Sequence, residues 1–383
     1  MRVALLSKEY PPEVYGGAGV HVAGLSAELA KLVDVAVHAF GAPRDDALVA
    51  ATYQPWDALA GDAPGLGALR PISVDLAMAA AVGDADVVHS HTWYANLGGH
   101  LAKLLHGVPH VMTSHSLEPQ RPWKAEQLAG GYAVSSWCER VSIEAADAVV
   151  AVSAGMRDDI LACYPAVDAD RVHVIHNGID PSLWRPEAAP NVLALRGIDP
   201  ERPTVAFVGR ITRQKGVPDL LRAAASFDPA AQLVVLAGRP DTPEIGREVR
   251  ELVAGLQAER TGVVWIEDML PLEQVRPILS HATVFVCPSV YEPFGLVNLE
   301  AMACGTAVVA TRVGGIPEIV VEEETGLLVA PADASGMAAA VNRLVGDPDL
   351  AARMGAAGRA RVEQHFTWAS VAQRTADLYR SLT

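Results

Sequence analysis

Cysteine is scarce in this chain and never paired: Cys138, Cys163, Cys287 and Cys304 are scattered, with no C-x-x-C spacing. That excludes a disulfide framework, argues against a zinc site and leaves buried free thiols in a reducing cytoplasm as the expectation. No apolar run reaches the ~18 residues that a membrane span needs. The N-terminal stretch MRVALLSKEYPPE turns polar as a first strand does, so it does not read as a secretory signal. Positive charge is in deficit, with 30 Lys+Arg against 45 Asp+Glu and a formal net charge of −15. That argues against nucleic acid and anionic membrane as partners, while a local basic cleft can still hold phosphate. There is no G-x-G-x-x-G, which weakens a dinucleotide-oxidoreductase reading, and no H-E-x-x-H.

What is present is a globular composition, half hydrophobic, with 20% charged residues. At 383 residues, two domains of ordinary size are expected. Short valine-rich runs at 2–7, 33–40, 87–91, 110–115, 148–153 and 171–178 alternate with helical patterns at 18–32, 123–146 and 155–163. The pattern restarts at 204–209 and continues through runs at 233–238, 263–267, 284–289, 307–311 and 326–330. Apolar runs alternating with amphipathic helices imply α/β domains built on parallel sheets. Residues 178–203 are proline-rich and weakly periodic, as a domain linker is. The expected division is therefore 1–178 and 179–367, with a last helix at about 368–383 packing back on the first domain. Residues 42–83 carry the weakest signal, and only a loose strand near 71–74 is placed there.

The most informative stretch is SVYEPFGLVNLEAMACG, where Glu292 and Glu300 bracket PFGL. A strand runs into it and Gly305 stands in helix-stop position. Glu292 would lie in the turn at the strand's carboxyl end, where ligands bind in open α/β sheets, with Glu300 on the helix behind it. The alternative is a solvated turn and a surface helix. In the loop KEYPPEVYGGAGVH, Gly16 and Gly17 precede a helix, so backbone can approach an anion closely, or the pair simply makes a tight turn. In FVGRITRQKG, Arg210 and Lys215 stand at a strand end, where two cations suit a diphosphate. Arg213 lies between them, and ordinary surface charge is the alternative. His115, His89 and His91 stand at strand ends and can meet a substrate hydroxyl, or serve as hydrogen-bonded structural histidines. Ser116, Arg121 and Lys124 follow in a loop that either holds a second anion or is solvated.

Together GGAGVH (16–21), HSH (89–91), TSH (113–115), HNGID (176–180), GRITRQKG (209–216), EPFGLVNLEAMACGTAVVAT (292–311) and GGIPEIV (314–320) resemble the retaining glycosyltransferases of family four. These motifs span both halves in the family's order. The resemblance implies the GT-B fold, two Rossmann-like domains facing a central cleft. Residues 113–153 are similar to the actinobacterial branch of glycogen and maltose-1-phosphate synthesis, which implies transfer of glucose from ADP-glucose to α-glucose 1-phosphate. Tyr15 and Ala18 depart from the K-x-G-G-L loop of larger glycogen synthases, which speaks against simple polymer elongation.

The resemblance further implies roles. Arg210 and Lys215 would bind the donor diphosphate, together with backbone around Gly16 and Gly17. Glu300 would take the ribose hydroxyls. Glu292 and the backbone of Phe294, Gly295 and Leu296 would hold the transferred sugar, and His115 would contact its hydroxyls. Ser116, Arg121 and Lys124 are the candidate acceptor-binding set. No metal and no further cofactor is called for, because cations at the leaving group supply the electrostatic stabilisation. Small-molecule substrates, cytoplasmic location and no membrane or nucleic-acid partner are expected, with a homodimer left open. The competing readings are glycogen elongation, another small-molecule or lipid acceptor, a non-catalytic nucleotide-sugar module, and an epimerase of the same architecture.

Overall fold

A computed structural model describes residues 1–61, 66–124 and 130–383. It contains two compact units, Met1–Gly178 with Trp368–Thr383, and Ile179–Thr367. In the first, β1 (Arg2–Ser7), β2 (Asp34–Phe40), β3 (Val49–Tyr53), β4 (Val87–His91), β5 (His110–Ser114), β6 (Ala148–Ala151) and β7 (Val172–Val174) form one sheet. Its order is β3-β2-β1-β4-β5-β6-β7 and every neighbouring pair is parallel. Strands such as AVVA in β6 are buried throughout, as helices on both faces of a parallel sheet require.

The second unit repeats the scheme with β8 (Thr204–Ile211), β9 (Gln232–Pro240), β10 (Val263–Ile266), β11 (Val284–Cys287), β12 (Ala307–Thr311) and β13 (Gly326–Val329). The order β10-β9-β8-β11-β12-β13 is again parallel throughout. In each sheet the strand order reverses direction once, between β1 and β4 and between β8 and β11. At such a reversal the loops leaving neighbouring strands diverge and open a crevice at the strands' carboxyl ends.

One expectation fails. Residues 71–74 are not strand but lie in the helix Leu66–Ala81, and the strand of that region is β3. Pro71 and the run of small residues mask the helical period. Tertiary packing decides the matter, since Val74, Met78 and Ala79 bury themselves against Ala95 and Ala102 of the helix Trp93–His106. The linker region also contains a short helix, Pro190–Leu195. Residues 125–129 of the expected helix over 123–146 lie outside the described residues, and the described part is Gly130–Ala145.

The final helix, Trp368–Leu382, belongs to the first unit. Val371, Ala372, Ala376 and Tyr379 share a core with Val3, Leu5, Val22 and Leu25. Trp368 fills the space above Gly24 and Gly178, where a Cβ would meet its indole at 2.3 Å and 2.7 Å. The Tyr379 hydroxyl lies 2.5 Å from His89 Nδ1, and His89 Nε2 lies 2.7 Å from Thr113 Oγ1. Tyr379→Phe removes the hydroxyl and leaves a fully buried ring nitrogen without its partner, a loss of about 1–3 kcal/mol. Urea unfolding of the full chain should show the midpoint of the first unit's transition moving down, and an unmoved midpoint would contradict this account.

Candidate active site

The second unit carries an ion pair at its strand reversal. After β8, the Thr212 hydroxyl caps the 3-10 turn Arg213–Lys215 by accepting from the Lys215 N–H at 3.2 Å. Gly216 then takes φ +63°, and a Cβ there would meet the Pro288 carbonyl oxygen at 2.0 Å, so only glycine lets the turn approach the end of β11. This approach puts Lys215 Nζ 2.6 Å from Glu292 Oε2, and Ser289 Oγ donates to the same oxygen at 3.1 Å. Both side chains are largely buried. Burial works most strongly against the Lys215 ammonium, yet the charge and hydrogen bond of Glu292, together with Cys287, outweigh it and the pKa is raised.

The backbone around Glu292 is fixed from the other side. Gly315 N–H donates to the Glu292 carbonyl at 3.0 Å, and Gly314, with φ +51°, leaves no room for a side chain against that carbonyl. Phe294 is buried, and Gly295 turns the chain at φ +106° into the helix Leu296–Ala303. Glu300 lies on that helix, where burial pushes its carboxyl up to about 7 and Lys215 acts in the opposite sense. Arg210 stands apart from this cluster. Its guanidinium is more than half exposed and lies 3.4 Å from Asp241.

In the first unit, three imidazoles gather at the ends of β4 and β5. His91 Nδ1 is 3.2 Å from His115 Nε2, and the His21 ring lies edge-on to His115 at 4.8 Å between centroids. Asn177 Oδ1 is 2.8 Å from His21 Nδ1 and orients that ring. Burial drives the pKa of His21 down to about 4 and those of His91 and His115 well below the ordinary histidine value. All three are therefore neutral near pH 7, able to exchange hydrogen bonds with hydroxyls without bringing charge. Their ligand nitrogens lie within 4.8 Å of one another, close enough to share a metal ion. His89, by contrast, is committed to Tyr379 and Thr113 and is structural.

The glycine loop is also occupied from within. Glu9 Oε2 accepts from Tyr15 N at 2.8 Å and from Gly16 N at 2.9 Å, so a carboxylate takes one of the backbone donors expected to meet an anion, while Gly17 opens the helix Gly17–Leu29. Ser116, Arg121 and Lys124 do come together, but around a carboxylate. Arg121 Nη1 donates to Ser116 Oγ at 2.6 Å, and Lys124 Nζ donates to Glu118 Oε1 at 3.1 Å. Glu118 is buried and also accepts from Ser135 Oγ at 2.7 Å.

Sequence reasoning missed His21, Glu9 and Ser289. The signal for His21 was present as the last residue of GGAGVH, one turn into a helix whose start faces the strand ends. Glu9 and Ser289 carry no such signal, because a single polar residue in a loop has no period.

Residues 15–183 match the model of Glycosyltransferase Family 4, and residues 194–361 match that of glycosyl transferases group 1. The chain is 59% identical to the alpha-maltose-1-phosphate synthase of Mycolicibacterium smegmatis, covering 100% of both chains. The chain is a family-four glycosyltransferase. This glycosyltransferase is also 30% identical to the glycogen synthase of Mycobacterium tuberculosis, over 99% of its own length and 94% of the other. Among solved structures, the sucrose-phosphate synthase of Thermosynechococcus elongatus shares 28% of its sequence with a TM-score of 0.82, covering 100% of this chain and 98% of that one. The fold is of the GT-B type.

The raised pKa of Glu300 has a checkable consequence. The folded state holds this proton more tightly than the unfolded chain, whose carboxyl keeps the ordinary value of 4.5. The cost of ionising it is therefore absent below that value, grows as pH rises, and is complete above about 7. Glu300→Gln should stabilise the second unit by on the order of 3 kcal/mol at about pH 8 and by almost nothing at about pH 4. Thermal melts across that range decide it, and a gain independent of pH would contradict burial as its cause.

Proposed function

We propose that this glycosyltransferase moves glucose from ADP-glucose to α-glucose 1-phosphate with retention, giving α-maltose 1-phosphate and ADP. The single observation that carries this reading is the 59% identity, over the whole of both chains, to a protein named alpha-maltose-1-phosphate synthase. The Lys215–Glu292 pair supplies the chemical reason. As the bond from the sugar's anomeric carbon to the diphosphate oxygen breaks, negative charge builds on the diphosphate and positive character on the sugar. Lys215 would meet the first and Glu292 the second, already aligned by their mutual contact, which is the preorganised electrostatics such a step needs. Arg210, exposed at the same strand end, would turn from Asp241 to the diphosphate. The acceptor hydroxyl attacks on the face the diphosphate leaves and gives its proton to a departing phosphate oxygen. Neutral His115 would exchange hydrogen bonds with the transferred sugar's hydroxyls. Glu300 would accept from the ribose hydroxyls in its ionised form. With the diphosphate's charge met by Lys215 and Arg210, the reading calls for no metal.

The direct test incubates the protein with ADP-glucose and either α-glucose 1-phosphate or glycogen, and identifies products by mass. Maltose 1-phosphate is expected, and glycogen elongation without it would overturn the reading. Lys215→Ala and Glu292→Ala should each lower turnover by about 100-fold or more, and Arg210→Ala should do likewise. Near-normal turnover in all three removes the site assignment. Turnover should persist after exhaustive chelation with EDTA, and a loss restored by added metal would contradict the metal-free scheme.

A further inference from the structure

The first unit holds a cavity of about 430 Å³ beside the histidine cluster, lined among others by Lys8, Phe40, Pro55, Arg70, Trp93 and Tyr94. Its size falls within the roughly 300–1,000 Å³ of pockets that take small ligands. Lys8 leaves the carboxyl end of β1, and Trp93 and Tyr94 follow directly on His91 at the end of β4, so the cavity sits at the sheet's reversal of strand order. The chain is held there in an unusual backbone conformation. Thr92, between His91 and Trp93, takes φ +65° and ψ 159°, a region almost confined to glycine. Such strain in a β-branched residue persists where the surroundings impose it, and it gathers at ligand sites. Here it places Trp93 and Tyr94 as a stacked pair, with ring centroids 4.1 Å apart.

The two cations of the cavity have no carboxylate partner among the described residues. The Lys8 ammonium lies 3.6 Å from the centre of the Tyr94 ring, and no carboxylate among the described residues pairs with it. Burial lowers its pKa, with neighbouring Glu9 opposing. Arg70 donates to the carbonyls of Leu59 at 3.0 Å and Gly61 at 2.8 Å and pairs with no carboxylate among the described residues. The Trp93 indole N–H is buried, with no well-aligned acceptor among the described residues. Two cations with no paired carboxylate, a buried N–H and an aromatic wall form a surface for an anionic sugar. The loop cations differ in this respect, because Lys124 and Arg121 already face the buried Glu118 carboxylate at 3.1 Å and 3.9 Å.

We propose that this cavity is the acceptor subsite and takes a hexose phosphate, with the phosphate held by Lys8 and Arg70 and the sugar ring against Tyr94 and Trp93. The proposal rests on the sugar-phosphate acceptor put forward above. It assigns the choice of acceptor to charge. A neutral glucan end leaves both cations unpaired, whereas a phosphate dianion satisfies them, so the same residues that bind the small acceptor disfavour the polymer. Arg121 and Lys124 then hold the loop after His115 in place through Glu118 and do not bind the phosphate.

Steady-state kinetics on the full chain test this with Lys8→Met, which keeps the apolar stem, Lys8→Arg, Arg70→Leu and Lys124→Ala. The KM for glucose 1-phosphate should rise by about 10- to 100-fold in Lys8→Met and in Arg70→Leu, the range expected for one lost charge-assisted contact. The KM for the nucleotide sugar should stay within about twofold, and Lys8→Arg should recover most of the loss. Lys124→Ala should lower the melting temperature and leave the acceptor KM close to wild type. An acceptor KM within about twofold of wild type in both Lys8→Met and Arg70→Leu overturns the proposal, as does a large acceptor effect confined to Lys124→Ala. If Lys8→Met does not fold, Arg70→Leu, on a partly exposed helix position, carries the test alone. If the wild type makes no maltose 1-phosphate, the proposed function falls, and the cavity is judged by calorimetry with glucose 1-phosphate. Binding that the two variants lose then sustains it, and binding that is absent from the wild type or unchanged in the variants overturns it.

Discussion

The contact between Lys215 and Glu292 organises the second unit's functional end. Neither residue is placed by its own element alone. Lys215 is delivered by a turn that Gly216 allows to touch Pro288, and Glu292 is held by the Gly314–Gly315 backbone and by Ser289. A buried pair of this kind adds little net stability, because the attraction between the charges barely repays their removal from water. Its value lies in position. Two opposite charges that have given up water and face each other at a fixed distance need no rearrangement of solvent when charge develops nearby.

The first unit presents the complementary chemistry. Its cluster of His21, His91 and His115 is kept uncharged by burial, and its cations differ in their partners. Lys124 and Arg121 are spent on Glu118 and hold a loop, others pair with surface carboxylates, while Lys8 and Arg70 line a cavity with no carboxylate partner among the described residues. Distinguishing a cation that serves structure from one that awaits a ligand requires knowing where the carboxylates are. Net charge and sequence spacing do not supply that knowledge.

This limit explains how far the residues could be read unaided. Parallel α/β architecture followed from valine-rich runs alternating with amphipathic helices, and the family followed from ordered motifs, above all EPFGLVNLEAMACG and GRITRQKG. Lys215 and Glu292 were both legible, but their direct contact was not, because it depends on β8 lying beside β11. The helix Leu66–Ala81 was misjudged because alanine and glycine carry little periodic signal and Pro71 reads as a breaker. Its helical state is decided by packing against the helix Trp93–His106. Lys8 and Arg70 escaped notice because they stand far apart in sequence and become a pair only around a cavity.

The first unit is discontinuous along the chain, and its core includes Val371, Ala372 and Tyr379 from the final helix. A ribosome releases β1 through β7 long before that helix exists. Until then His89 lacks the Tyr379 hydroxyl, and the apolar face formed by Val3, Leu5, Val22 and Leu25 stays uncovered. The half of the protein made first is thus the half finished last. A nascent chain carries an open hydrophobic seam throughout synthesis of the second unit, during which it is exposed to misassociation.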